Sequence, residues 1–271
     1  MEAASKMLRL PPEPMALLRR GRPLKRWRYV GFYGPEAMLC AGDVRLGPLR
    51  QRFWAVAEPG RPLREGTSLR AGGVAMDGSR VVIDAPGVHA ELTADEDGGV
   101  ETVHPSGRSG YVWTRKQAGV AMRGSLAVDG RVLELDGRGA IDETAGYHAR
   151  RTSWRWSAGV GRTEDGESVA WNLVEGVNDG ATGSERSVWI GGEPFEPGPV
   201  RFAEDLSAIE LSEGGRLEFH EWPGAVREDR TNLIVLRSYY RQPFGTFSGD
   251  LPGPLRLAEG YGVMEIHKAL W

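Results

Sequence analysis

The stretch GSLAVDGRVLELDG, Gly124 to Gly137, reads as two short strands folded about one tight turn. Leu126, Val128, Val132, Leu133 and Leu135 supply apolar side chains suited to a pleated surface, and Asp129-Gly130 between them suits the positive φ of a two-residue hairpin. Asp-Gly recurs at 77/78, 97/98, 136/137, 165/166 and 179/180, in a chain with 38 glycines among 271 residues. Repeated turn signals between short apolar runs predict many antiparallel strands, which close into barrels or pack as sandwiches to hide their edges. The expected fold is all-β, with two packed antiparallel barrel or sandwich domains and little helix. Only PEPMALLRRG, Pro12 to Gly21, and a turn or two near Glu204 to Ala208 carry helix signals. The natural seam lies near Gly139 to Gly146. It divides the chain into an N-terminal extension (1–28), a first β domain (29–140) and a second (141–271). No exact repeat links the halves, so any correspondence between them is structural.

A formal charge of −3 offers no global basic field for a nucleic-acid backbone or an anionic membrane. Arginine far outnumbers lysine, which occurs only at Lys6, Lys25, Lys116 and Lys268; this fits a GC-rich genome or the recognition of carboxylates. The basic patch from Arg19 to Arg28 is a solvated lead-in or a contact for membrane or nucleic acid. Cys40 is the single cysteine, which excludes an intramolecular disulfide, a thiolate zinc cluster and a Cys-x-x-Cys redox pair. No apolar run has signal-peptide character or approaches the roughly 20 residues of a membrane helix. A cytoplasmic protein without stable membrane insertion is expected. The oligomeric state stays open. No phosphate loop, dinucleotide fingerprint, Gly-x-Ser-x-Gly elbow or His-Glu-x-x-His site is present, so no cofactor is expected. His89, His104, His148, His220 and His267 are too scattered to suggest a metal centre.

The segment YVWTRKQAGVAMRGSLAVDGRVLELDGRGAIDETAGYH (111–148) resembles the domain junction of the lipocalin-like superfamily of carotenoid hydratases, AttH-type proteins and tocopherol cyclases. GYHARRTSWRWSAGVG (146–161), AWNLVEGVND (170–179), SERSVWIGGEP (184–194), YYRQPFGTFSG (239–249) and GYGVMEIHKALW (260–271) are more closely similar to a bacterial family, domain of unknown function 2804. RYVGFYGPEAMLCAGDVRLG (28–47) and FWAVAE (53–58) fit the same family. The resemblance implies two lipocalin-like β domains with a ligand-sized cleft in or between them. The superfamily includes cofactor-independent enzymes that protonate, hydrate or cyclise apolar substrates, but a fold does not carry a reaction with it. The junction acids of the hydratase-like relatives map onto Asp142 and Glu143, with Thr144-Ala145 where many relatives carry an aromatic.

Side chains alternate along a strand. From Tyr147 to Ala158, His148, Arg150, Thr152, Trp154 and Trp156 share one face, opposite Tyr147, Arg151, Ser153, Arg155 and Ser157. The mixture of aromatic and ionisable groups fits a pocket wall, or a tryptophan pair stacked with arginine that needs no ligand. Further along, Asn172 and Glu175 interrupt apolar sequence. Glu175 is solvent-facing, paired to an arginine such as Arg150 or Arg186, or buried with a raised pKa. From Asn232 to Gly249, Leu233, Val235, Arg237, Tyr239 and Arg241 share one face, and Ile234, Leu236, Ser238, Tyr240 and Gln242 the other. Pro243 is expected to end or bend this strand. Near the C-terminus, Tyr261, Val263, Glu265 and His267 align, so that a carboxylate could orient an imidazole or the pair could simply face solvent.

Two functions fit these residues. A cofactor-independent acid-base enzyme of hydratase, cyclase or isomerase type would act on an apolar small molecule. Its candidate acid-base groups are Asp142, Glu143, His148, Glu175, Tyr240, Glu265 and His267. Its candidate substrate-binding groups are Tyr147, Arg150, Trp154, Trp156, Asn172, Arg241 and Tyr261. The enzyme requires these groups to converge. A lipocalin-like carrier of an apolar metabolite requires an enclosed cavity whose acids are all paired, and a structural or interaction protein requires filled barrels and no pocket.

Overall fold

The computed structural model describes residues 8–69, 72–232, 237–253 and 255–270. Among them there is no helix. A small hairpin, β1 (Leu18–Arg19) and β2 (Arg22–Pro23), precedes two large antiparallel sheets. The first contains β3 (Lys25–Tyr33), β4 (Met38–Leu46), β5 (Leu49–Ala57), β6 (Arg64–Ser68), β7 (Gly73–Asp77), β8 (Arg80–Ala85), β9 (Val88–Ala94), β10 (Val100–Ser106), β11 (Gly110–Val128) and β12 (Arg131–Gly146). The second contains β13 (Arg151–Thr163), β14 (Ser168–Glu175), β15 (Ser187–Ile190), β16 (Glu193–Phe195), β17 (Val200–Phe202), β18 (Ala208–Leu211), β19 (Arg216–Asn232), β20 (Arg237–Asp250) and β21 (Arg256–Leu270).

Both sheets curl in the same way. In each, the first long strand pairs with the last, β3 with β12 and β13 with β21, while the remaining strands follow mostly in up-and-down order. The first sheet leaves a gap between β6 and β7 and the second between β16 and β17, so both are nearly closed barrels. The halves thus repeat one topology without repeating a sequence, apart from the added β10. The chain passes from one barrel to the other between Gly146 and Arg151. The sequence boundary at 140/141 falls inside β12, and Lys25 to Arg28, grouped with the extension, open β3.

The segment expected to be an N-terminal helix is instead the β1–β2 hairpin. Arg20 and Gly21 both take positive φ, 48° and 78°, as a two-residue hairpin turn requires. Burial of Met15 and Leu24 against Tyr111 and Tyr147 outweighs the local helix signals. Glu204 to Ala208 is likewise a turn leading into β18, with Leu206 at φ 63°. Asp77-Gly78, Asp129-Gly130 and Asp165-Gly166 lie at hairpin turns, but Asp136-Gly137 continues inside β12.

The interiors are filled. Val30, Leu39, Ile83, Leu92, Met122 and Leu126 help to fill the first barrel, and Trp171, Leu173, Ile209, Leu217, Phe247 and Met264 the second. A third apolar cluster joins the barrels and includes Tyr29, Tyr33, Cys40, Ala118, Trp156, Val174, Phe244 and Val263. One bulge decides what reaches this seam. The β11 register shifts between Ala118 and Val120 at Gly119, whose φ is +77°. Lys116 and Ala118 therefore face the seam, while Val120 and Met122, of the same sequence parity, face the barrel interior.

Candidate functional site

A cleft of about 450 Å³ opens between the barrels. β3, β5, β11 and β12 wall it from one side, and β13, β19, β20 and β21 from the other. Aromatic rings run along it in sequence. His148 lies 5.0 Å from Trp27, Trp27 stacks on Trp154 at 6.3 Å, and Trp154 meets His267 edge-on at 4.3 Å. Tyr240 lies 5.6 Å beyond His267, and Phe53 a further 6.4 Å on. Arg227 closes this end, its guanidinium 4.3 Å from the centroid of Phe53 and 4.9 Å from that of Tyr240.

Glu265 stands between these rings with only 7% of its surface exposed. Its strand register sets it opposite Trp156, so the diagonal neighbour Trp154 reaches it and donates Nε1–H to Oε1 at 2.8 Å. Gln242 donates to Oε2 at 3.2 Å. Burial pushes the Glu265 carboxyl up to about 7, with Asp142 adding to the shift against hydrogen bonds from Trp154 and Tyr240 and the attraction of Lys116.

Across the cleft, Lys116 and Asp142 are direct cross-strand partners, with Nζ 2.6 Å from Oδ1. The ammonium is also 3.5 Å from Glu185. Burial disfavours the Lys116 charge, but Asp142 and Glu185 overcome it and raise its pKa. Burial, then Asp142, raises the Glu185 carboxyl despite Lys116 and the Asn178 amide, which donates at 3.0 Å. Thr144 and Trp27 donate to Asp142 at 3.3 and 3.4 Å.

The imidazoles differ from the acids. Burial, then Lys25 and His267, push His148 down to about 3. His267 is pushed to about 3 by burial, Lys25 and Arg227, and its Nε2 lies 2.8 Å from the Ser238 hydroxyl. Both rings are neutral at physiological pH.

Of the candidate residues, Asp142, His148, Trp154, Trp156, Tyr240, Glu265 and His267 line the cleft together. Asn172 lies behind the wall, accepting from Trp156 Nε1 at 2.7 Å and donating to the Glu185 carbonyl at 2.7 Å. Tyr261 packs in the apolar seam. The others lie elsewhere. Glu143 pairs with Arg28 at 2.8 Å and accepts from Arg115 at 2.7 Å. Tyr147 donates to the Ala16 carbonyl at 2.7 Å on the far side of the sheet. Arg150 is exposed, and Arg241 pairs with Glu221 at 2.7 Å. Glu175 pairs with Arg155 at 3.5 Å rather than with Arg150 or Arg186, and accepts from the Phe202 amide. Arg186 instead donates to the carbonyls of Asp179, Gly180 and Pro197. Pro243 does not end β20; it sits opposite Val226, where β19 shifts register, so the bulge absorbs its missing donor. The alternation expected for 233–236 lies outside the described residues.

Sequence reasoning missed Trp27, Tyr29, Phe53, Lys116, Glu185 and Arg227, all at the cleft. Alternation in β3 would have grouped Trp27 with Tyr29, and one of only four lysines inside an apolar strand was a signal for Lys116. Among the described residues, no three His, Cys, Asp or Glu side chains group as metal ligands, and no helix is long and apolar enough to cross a membrane.

Two nearly closed antiparallel barrels with an ionisable cleft between them define an all-β, two-barrel protein. The chain belongs to the family Domain of unknown function (DUF2804), whose model matches residues 67–271. No curated protein matches it. Kievitone hydratase from Nectria haematococca is similar in fold, with a TM-score of 0.57 at 14% identity over 89% of this chain and 88% of that one. An AttH-assigned protein from Nitrosomonas europaea is similar with a TM-score of 0.56 at 12% identity, over 95% of this chain and 97% of that one. At these identities the likeness concerns the fold.

Proposed function

We propose that this protein binds an apolar, ring-containing small molecule in the interdomain cleft and moves a proton on it without a cofactor, as a hydratase, cyclase or isomerase does. Glu265 carries this reading: it is a buried carboxyl on an aromatic wall, protonated in part at neutral pH. In a hydration, the Glu265 proton passes to one alkene carbon. Water bonds to the other carbon and gives its proton to Asp142, which Lys116 holds in place. Exchange with solvent then restores both carboxyls. The hydratase-like fold of the neighbours agrees with this chemistry.

A second reading, a carrier that releases its ligand unchanged, draws support from the partners on Glu265, Asp142 and Glu185. Mass spectrometry of a metabolite extract incubated with purified protein separates the two. The enzyme consumes a compound and yields a product of altered mass or retention time, heavier by one water for hydration, and Glu265→Gln slows turnover by about 10²–10⁴-fold. Wild-type turnover in Glu265→Gln would remove Glu265 from the mechanism. A compound captured and recovered unchanged would establish the carrier.

A further inference from the structure

His148 ends the ring-lined path, and only 8% of its surface is exposed. Its Nε2 is fully buried and has no hydrogen-bond partner among the described residues. The polar groups deeper in the cleft are matched differently: Glu265 accepts from Trp154 and Gln242, while Asp142 accepts from Trp27 and pairs with Lys116. A buried ring nitrogen without a partner carries a standing penalty that a ligand atom can relieve. The site also selects the kind of atom. Burial keeps His148 neutral, and burial and Arg22 push Lys25 down to about 6, so neither the ring nor this ammonium is fully charged at neutral pH. A neutral imidazole suits a hydroxyl or carbonyl oxygen and brings no charge of its own to a carboxylate.

We infer that the ligand of the cleft is an amphipathic ring compound that seats a hydroxyl or carbonyl oxygen on Nε2 of His148, with its apolar body along Trp27 and Trp154. This rests on the cleft being the ligand site. The oxygen is a recognition handle that fixes which end of the molecule reaches Glu265, and purely hydrocarbon ligands lack it.

Equilibrium dialysis of the full chain against naphthalene, 2-naphthol and 2-naphthoate tests the inference. 2-Naphthol should bind about tenfold tighter than naphthalene. His148→Phe should erase that advantage, so that 2-naphthol and naphthalene bind the variant alike, and His148→Gln, which keeps a hydrogen-bonding group, should retain part of it. Equal binding of naphthalene and 2-naphthol, or an advantage that survives His148→Phe, would overturn the proposal. Tighter binding of 2-naphthoate would overturn the neutral oxygen. Should His148→Phe fail to fold, nitrogen NMR of the wild-type imidazole decides: 2-naphthol but not naphthalene must shift the His148 Nε2 resonance. If none of the three binds the folded wild type, the cleft itself is not a site for ring compounds, and the inference falls with it.

Discussion

The inside of the second barrel and the cleft beside it are built from the same strands. In β21, Met264 and Ile266 turn into the barrel while Glu265 and His267 turn out to the seam. In β14, Trp171 and Leu173 fill the barrel while Ala170 and Val174 face the other way. One face is apolar and packed; the alternate face carries the ionisable groups. The difference teaches where this architecture keeps its buried ionisable groups. Each barrel spends its interior on its own stability, and pairing two barrels encloses a space that neither forms alone.

The sharpest way to break that contrast is to truncate one tryptophan on each side. Trp171 is fully buried, its indole occupying the space that a side chain at Gly159 would need. Trp171→Ala should destabilise the fold by about 3–5 kcal/mol in urea denaturation. Trp154→Ala, at the half-buried cleft wall, should cost about 1–2 kcal/mol and abolish ligand capture. Equal losses of stability would mean that the cleft belongs to the core.

Lys116 tests whether the seam is held by charge. Lys116→Met leaves Asp142 and Glu185 facing one space without their cation, and should cost about 3–5 kcal/mol at neutral pH. Without the ammonium the buried Glu185 carboxyl, already raised by burial, holds its proton more tightly in the folded state, so the deficit should shrink on acidification. A deficit constant with pH would assign the loss to packing.

Glu265 gives a smaller effect with a defined sign. Its folded pKa, about 7, lies above the ordinary 4.5, so the folded protein binds the extra proton. Stability from this group is therefore greatest below about pH 4.5, falls as pH rises to about 7 and is level above that. The full drop amounts to about 3 kcal/mol. Glu265→Gln should remove it, so the variant gains on the wild type between pH 5 and 8 in paired urea titrations. Parallel curves would show that the carboxyl ionises freely in the fold.

Much of this was legible in the chain. Hairpin turns and alternation identified the all-β class, and the faces of β13 and β21 followed from period two alone. Ser238, Tyr240 and Gln242 share a face as alternation requires, and it is the cleft face. The rest depends on contacts that no local pattern encodes. The Gly119 bulge exchanges the faces of β11, so strict alternation would send Lys116 and Met122 to the same side. Trp27 and Phe53 become cleft residues only because the second barrel packs against them. At the N-terminus, burial of Met15 and Leu24 converts apparent helix signals into a hairpin.

The smallest expected effect separates two glutamates that look alike in sequence, each next to a β-branched or aliphatic residue. Glu175 is half-buried at the end of β14, 3.5 Å from Arg155 and outside the cleft lining. A pair this open to water contributes about 0–1 kcal/mol. Glu175→Gln should therefore change stability by less than about 1 kcal/mol and leave ligand capture and turnover intact, with the retained side-chain oxygen still able to accept from the Phe202 amide. Glu265→Gln changes the same atoms on the wall of the cleft and should slow turnover. If Glu175→Gln impairs turnover as strongly, the reacting centre extends beyond the seam, and the division between scaffold and cleft gives way at β14.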